Sequence, residues 1–199
     1  MPSAVDISNA ALNMLGASNI ISLTEDSKAA RIINQRFDAV RDAVSRSHNW
    51  NSLIKRAELT QLATAPAFGY AFQYSLPPDC LRVLEFTNGT LSYPQDNIFN
   101  NSGGPVYVIE GRSLLTDEAV AKIKYIARVE DANLFDSLLV ETLSARLAYE
   151  ICYAITGSNA LLGSTKTIYD EKLKEARFID ATEGATERFE ASDLIESRF

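Results

Sequence analysis

The chain has 199 residues, which is long enough for one domain with a sizeable core. Its hydrophobic content of 46% and charged content of 23% are those of an ordinary globular protein, and they argue against wholesale disorder. The formal net charge of -7 disfavours a protein that retains nucleic acid by neutralising its phosphates. It is compatible with a wall past which DNA slides, because an acidic surface repels the duplex and does not hold it.

The composition also makes predictions about compartment and redox chemistry. The first residues, Met1 to Asp6, lack the basic and apolar regions of a signal peptide, which predicts a protein made in the cytoplasm. No apolar run approaches the roughly 20 residues that span a bilayer, so we expect no membrane insertion by this chain. Cys80 and Cys152 lack the paired spacing of a zinc site and are expected to be buried thiols.

Two helices are predicted in the first quarter of the chain. Ser3 and Asp6 have the spacing of a capping box at the start of the first helix. The second helix is expected to begin between Ser22 and Ser27, with Ser22 and Glu25 as its capping box. It carries an apolar stripe at helical spacing, formed by Ile33, Phe37, Val40 and Val44. This pattern predicts a surface helix with one buried face, and His48 is expected to lie at its C-terminal end.

The hydrophobic period changes between residues 51 and 132. Pro77-Pro78 is incompatible with a long helix, while Asn88-Gly89 and Glu110-Gly111 are typical of hairpin turns. A further strand is predicted within residues 121–129, with Ile123 and Tyr125 on one face. Residues 94–105 are rich in Asn, Gly and Ser and are expected to form a long exposed loop.

Helix is predicted again from about Asn133. Apolar residues recur at i+4 spacing through Leu139, Leu143, Leu147, Ile151 and Ile155, which indicates a central helix. Gly157 is expected to end it, and a second helix follows to complete a helical hairpin. Residues 181–199 begin with a segment poor in apolar residues and are expected to form a flexible C-terminal tail.

No arrangement of residues indicates catalysis, a metal or a cofactor. The segment Gly157 to Lys166 resembles a phosphate-binding loop only superficially, because no Lys follows its second glycine. The acidic pairs Glu25-Asp26 and Glu130-Asp131 lie at predicted helix boundaries, where carboxylates usually serve as caps. We therefore expect a protein that is not an enzyme and has no cofactor.

Two segments carry a resemblance to a known family. The first runs from Ala11-Leu12-Asn13-Met14-Leu15-Gly16 through Ile20 to Arg31 and ends with an aromatic residue, Trp50, after the second helix. The second is the stretch from Tyr74 to Leu84, which contains Pro77-Pro78. Together they resemble the head-to-tail adaptor of tailed bacteriophages, called tail tubular protein A in short-tailed phages. The resemblance extends over most of residues 4–180.

The fold expected from the pattern is mainly α. It is a four-helix bundle with a small antiparallel β insertion between the second and third helices and a flexible C-terminal tail. The corresponding boundaries are 1–56 for the first helices, 57–132 for the insertion, 133–180 for the helical hairpin and 181–199 for the tail.

The resemblance implies a structural protein of the virion, made in the bacterial host. Such an adaptor forms a ring, expected to contain twelve copies, beneath the portal protein. It joins the capsid to a downstream tail or nozzle protein and continues the channel, through which DNA passes without specific binding.

Two contact regions follow from the predicted loop and tail. Ala191, Ile195 and Phe199 recur at helical spacing, so the tail is expected to fold on binding the portal. Its anchors are predicted to be Phe189, Leu194, Ile195 and Phe199. The exposed loop is predicted to contact a neighbouring subunit or the downstream tail protein through Asn97, Phe99, Asn101 and Gly103.

Two alternatives of other classes stay open from the sequence. The first is a tail enzyme that degrades envelope polysaccharide through a carboxylate pair, which requires two acids facing each other across a deep cleft. The second is an acidic cytoplasmic regulator without a role in the virion.

Overall fold

The computed structural model describes residues 2–88 and 106–183. In these ranges the chain forms four α-helices and seven β-strands. The helices are α1 (Ala4–Met14), α2 (Lys28–Arg46), α3 (Ser137–Thr156) and α4 (Asn159–Thr182). Three of them surround the fourth, because α1, α2 and α4 all pack against α3.

The first two helices begin at different kinds of cap. The capping box of Ser3 and Asp6 is confirmed at the start of α1. The box predicted for α2 is wrong, because α2 begins at Lys28, where the hydroxyl of Ser27 accepts a hydrogen bond from the N–H of Ala30 at 3.1 Å. The carboxylate of Glu25 instead accepts the N–H of Ile21 at 2.8 Å and so stabilises the preceding loop.

The central position predicted for α3 is confirmed. Four leucine and isoleucine side chains along it are at most 2% exposed: Leu139, Leu143, Leu147 and Ile151. Its polar residues are also satisfied locally, since Thr142 donates its hydroxyl hydrogen to the carbonyl of Leu138 at 2.8 Å. A helix that is apolar on several sides is stable only inside a layer of other elements, and this explains its place as the hub of the helices.

The strands form two antiparallel sheets. They are β1 (Ile54–Glu58), β2 (Thr60–Gln61), β3 (Phe72–Ser75), β4 (Cys80–Thr87), β5 (Tyr107–Glu110), β6 (Ser113–Thr116) and β7 (Lys122–Ala127). One sheet has the order β1-β7-β4 and the other β2-β3-β6-β5. The predicted hairpin at Glu110-Gly111 is confirmed, with Glu110 opposite Ser113. The other predicted turn begins at Asn88, and Gly89 lies outside the described residues.

The two sheets enclose a hydrophobic core of their own. Its buried members are Leu59, Tyr74, Cys80, Leu114, Ala121, Ile123, Tyr125 and Ala127. On one side the chain crosses from β1 to β2 at Leu59, and on the other the rings of Phe86 and Tyr107 are 5.2 Å apart. The sheets are thereby joined at both edges.

Strand β7 lies between this core and the helices. Because successive side chains of a strand point to opposite faces, Ile123 and Tyr125 face the sheet core while Ile126 faces the helical core. Ile126 is fully buried there. Ile54 of β1 and Leu84 of β4 also pack against the helical core, so the sheet β1-β7-β4 forms a common wall between the helices and the second core.

The expected four-helix bundle with a small β insertion is wrong. Strands account for 20% of the structure in two sheets, beside 48% helix. The sequence pattern identified most strands, but it treated them as separate hairpins. It missed that Leu59, Tyr74 and Leu114, which are far apart in sequence, converge into a second core. The architecture is thus a helical layer joined to a two-sheet sandwich.

The expectation for the two cysteines is confirmed by their burial. Both cysteines are free thiols inside the protein, with Cys80 8% exposed and Cys152 fully buried, as predicted. Among the described residues, none of the helices is long and apolar enough to cross a membrane.

Candidate assembly surface

The end of α4 is fastened to the segment that joins α2 to β1. One carboxylate oxygen of Asp180 accepts the N–H of Asn51 at 3.0 Å, and the other lies 3.0 Å from Nε2 of His48. The side-chain amide of Asn51 donates in return to the carbonyl of Asp180 at 2.7 Å. We call these three residues the Asp180 latch. Asp180 is only 7% exposed, and these hydrogen bonds provide partners for its buried carboxylate oxygens.

Aromatic packing sets the position of the latch. Trp50 is 1% exposed and donates its indole N–H to the carbonyl of Val44 at 3.0 Å. Its ring meets that of His48 edge to face, with 4.9 Å between the centroids. Close by, Arg177 donates to the carbonyl of Ser47 at 2.7 Å. Two residues of the last turns of α4, at positions 177 and 180, are therefore fixed to the end of α2.

The opposite side of the same turns is apolar and exposed. Phe178 is 71% exposed and Ile179 is 38% exposed, and Ile168 is 37% exposed further up the helix. The buried side of α4 carries Tyr169 and Ala176. The sequence alone predicted this helix, but it gave no sign that Phe178 would remain outside.

Helix α2 also has an outward face, and that face is basic. Arg31, whose side chain is 65% exposed, pairs with the exposed Asp26 at 3.0 Å. Asp38 and Asp42 both pair with Arg41, at 3.0 and 3.1 Å. Arg41 is itself 7% exposed, whereas the side chain of Asp38 is 79% exposed.

A second candidate site is an open cleft of about 510 Å³ beside β1. It is lined by Lys55, Pro78, Asp79, Arg128, Val129, Glu130, Asp131 and Leu134. The Asp79 carboxylate lies 3.0 Å from the Lys55 amine and accepts the hydroxyl of Tyr125 at 3.1 Å. These residues tie the loop between β3 and β4 to β1 and β7.

The pKa shifts in this cleft have clear causes. Burial raises the pKa of Asp79, but the hydrogen bonds from Lys55 and Tyr125 lower it by more. The pKa of Asp79 is therefore below its ordinary value. Burial, the charge of Asp79 and the hydrogen bond to it together raise the pKa of Tyr125 to about 12. Both groups are held in the protonation state that they already have at neutral pH.

This arrangement differs from that of a general acid. Such a carboxyl group has a raised pKa, so that it still carries its proton near neutral pH. Asp79 has the opposite shift, and Asp131 is occupied as a cap, since it accepts the N–H of Asn133 at 3.0 Å. Asp79 and Asp131 therefore serve in structural contacts in this cleft.

The other sequence motifs take structural positions. Gly157 ends α3 with a φ of 68°, a conformation that favours glycine, and Ser158 caps α4 by accepting the N–H of Leu161 at 3.2 Å. The segment that resembled a phosphate-binding loop is thus the two-residue turn Gly157-Ser158 followed by the first residues of α4. Within residues 2–88 and 106–183, no group of three or more His, Cys, Asp or Glu side chains is arranged to hold a metal ion.

The contact residues predicted from the sequence lie outside the described residues. This applies to the tail positions Phe189, Leu194, Ile195 and Phe199. It applies equally to the loop positions Asn97, Phe99, Asn101 and Gly103. Sequence reasoning did not identify the Asp180 latch, because its partners are 129 and 132 residues from Asp180. The one local feature of the sequence that pointed to this region was the pair of aromatic residues His48 and Trp50.

Comparison with known proteins gives no family assignment. No protein-family model matches the chain, and no curated protein is significantly similar to it.

Proposed function

We propose that this protein is a structural component of a bacteriophage virion, a head-to-tail adaptor that forms a ring under the portal. In this role it joins the capsid to the tail and continues the channel for DNA. The sequence resemblance of the segments around Ala11–Arg31 and Tyr74–Leu84 supports this proposal, and twelve copies is the number that the resemblance implies.

The structural observation that carries the proposal is the exposed apolar turn at the end of α4. Phe178 is 71% exposed, although it lies two residues from the buried Asp180. Exposed apolar patches of this kind commonly mark protein-protein contacts. The turn lies directly before the C-terminal segment that is proposed to bind the portal, so the contact surface and the segment form one continuous region of the chain.

The negative net charge of the chain supports the proposed role in the DNA channel. The chain carries a net charge of -7, which would repel the DNA backbone and let it move. The proposed protein therefore has no need of a specific DNA site.

Electron microscopy of phage particles tests the proposal directly. Heads filled with DNA, made by a phage that lacks this gene, are mixed with the purified full-length chain and then with tails. We expect a ring-shaped density beneath the portal and restored tail attachment. Heads that accept tails equally well without the protein would contradict the proposal.

A control separates this function from the polysaccharide-degrading alternative. Asp79→Asn removes the charge of the most enclosed carboxylate of the cleft. If this variant restores tail attachment and the wild-type chain does not cleave glycan, the result agrees with the proposed adaptor function. If the wild-type chain cleaves glycan and Asp79→Asn does not, the result favours the polysaccharide-degrading enzyme.

A further inference from the structure

The outward side of α4 combines apolar residues with two acids, Glu171 and Glu175, and one lysine, Lys174. We define the α4 face by Ile168, Glu171, Glu175, Phe178 and Ile179, all of which are exposed. With a rise of 1.5 Å per residue, the stretch from Ile168 to Ile179 extends over roughly 16 Å of helix. It is long enough to pack along another helix.

The latch makes this exposure a fixed property of the fold. A helical turn that rotated Phe178 inwards would carry Asp180 away from His48 and Asn51. It would also break the hydrogen bond from Arg177 to the carbonyl of Ser47. The cost of leaving these buried polar groups unpaired holds the apolar residues at the surface.

Helix α2 presents a surface of opposite charge. We define the α2 face by Arg31, Gln35, Ala39, Ala43 and Arg46, all of which are exposed. Asp42, which lies beside this face, is held by Arg41 at 3.1 Å and by Arg128 at 2.6 Å. Its charge is therefore compensated within the chain, and the arginines leave the face basic. The alanines provide room for large side chains of a partner.

The two faces lie on different sides of the helical layer. Helix α3 contacts α4 through Glu141, which pairs with Lys172 at 2.5 Å. It contacts α2 through Glu150, which pairs with Arg36 at 3.0 Å. Positions 141 and 150 are separated by about two and a half turns, so they project from opposite sides of α3. One chain therefore cannot bring its own two faces together.

We infer that the α4 face of one copy packs against the α2 face of the next copy, with Phe178 and Ile179 over Ala39 and Ala43. Glu171 and Glu175 then face the arginines of the neighbour. Contacts between two different surfaces of identical subunits generate rings when the rotation closes. This inference rests on the proposed function, and it names the interface that closes the proposed ring.

Cysteine cross-linking of the full-length chain tests this interface. Ala39→Cys and Glu175→Cys are made in separate chains, and the chains are mixed at high concentration with a short bis-maleimide. The native Cys80 and Cys152 are buried and do not compete. We expect a cross-linked dimer in the mixture and none from either variant alone, because the contact joins two different faces.

A matched control uses the exposed position Ala63, which belongs to neither face. An equal mixture of Ala63→Cys and Glu175→Cys gives the background yield of random collisions. A yield from the Ala39 mixture no higher than this background overturns the inference. Dimers from Glu175→Cys alone, at the yield of the mixture, overturn it as well, since they indicate a symmetric contact.

Charge reversal gives a second, independent measurement. Arg31→Glu lowers the cross-linking yield roughly three- to fivefold, because an exposed ion pair contributes up to about 1 kcal/mol and the reversal adds repulsion. Glu171→Lys in the neighbouring chain restores the yield. Both residues are exposed, so the fold tolerates the changes. Equal yields in all combinations contradict the proposed charge pairing.

Failure of this inference is distinguishable from failure of the proposed function. A ring density beneath the portal, without cross-linking between positions 39 and 175, rejects the interface and leaves the adaptor role intact. Cross-linking between these positions in a protein that phage heads do not require rejects the adaptor role and leaves the interface intact.

Discussion

The imidazole of His48 and the carboxylate of Asp180 lie 3.0 Å apart across 132 residues of chain. The pair joins the end of α2 to the last turn of α4 and is shielded by Trp50, which is 1% exposed. Through it, the end of α4 is fixed to the segment that joins α2 to β1. Five predictions test this arrangement and the parts of the chain around it.

The first prediction concerns the stability contributed by the latch. Asp180→Ala leaves the N–H of Asn51 and the ring of His48 without their acceptor, which is expected to lower the free energy of unfolding by about 2 kcal/mol. The exposed Asp170 on the same helix serves as the control, and Asp170→Ala is expected to change stability by less than about 0.5 kcal/mol. Urea denaturation followed by Trp50 fluorescence measures both. Equal losses would argue against the latch.

The second prediction concerns pH. The pKa of Tyr125 is raised from 10.0 to about 12, so the folded protein keeps this proton where the unfolded chain loses it. The contribution of Tyr125 to stability is present below pH 10 and falls as pH rises towards about 12, by on the order of 2 kcal/mol. Tyr125→Phe is expected to flatten this part of the curve. Stability curves that stay parallel between pH 9 and 12 would contradict the assignment.

The third prediction concerns the shared wall between the two cores. Ile126 is fully buried against the helices, and Ile126→Ala is expected to cost about 2 to 4 kcal/mol. Because β7 belongs to both cores, circular dichroism and Trp50 fluorescence are expected to report one coincident transition. Lys124→Ala, on the same face of β7 but 25% exposed, is the control and should cost much less. Separate transitions for the two probes would show that the cores unfold independently.

The fourth prediction concerns the C-terminal segment. Truncation after Glu183 keeps the Asp180 latch and removes the predicted anchors Phe189, Leu194, Ile195 and Phe199. We expect the truncated chain to retain the unfolding midpoint of the full chain and to lose attachment to heads that carry the portal. Co-sedimentation with purified heads measures the attachment. Unchanged attachment would refute the docking role of the segment.

The fifth prediction concerns the segment between β4 and β5. Deletion of residues 97–104 removes the predicted contacts Asn97, Phe99, Asn101 and Gly103. Because residues 94–105 are rich in Asn, Gly and Ser, a composition typical of exposed loops, the deletion is expected to leave the unfolding midpoint nearly unchanged and to impair tail attachment. Infectivity of the particles gives the measurement. Particles of normal infectivity from the deleted chain would exclude this contact.

Local patterns in the sequence predicted many of the elements correctly. The stripe of Ile33, Phe37 and Val40 identified the buried side of α2, and Ser3 with Asp6 identified the first cap. These predictions succeed because a helical period and a cap depend on residues only three or four positions apart. The capping box of α2 was misassigned for a related reason, since Ser22 and Ser27 can both cap a helix and the loop geometry selects Ser27.

The sequence by itself determined the helices, most of the strands and the burial of the two cysteines. Only the tertiary structure decided that Leu59, Tyr74 and Leu114 form a second core, which replaces the expected bundle with a helical layer and a sandwich. It also decided that Asp180 meets His48 and that Phe178 stays outside. The physical reason is distance along the chain. Strand pairing and the hydrogen bond between residues 132 positions apart leave no periodic pattern in the local sequence of either segment.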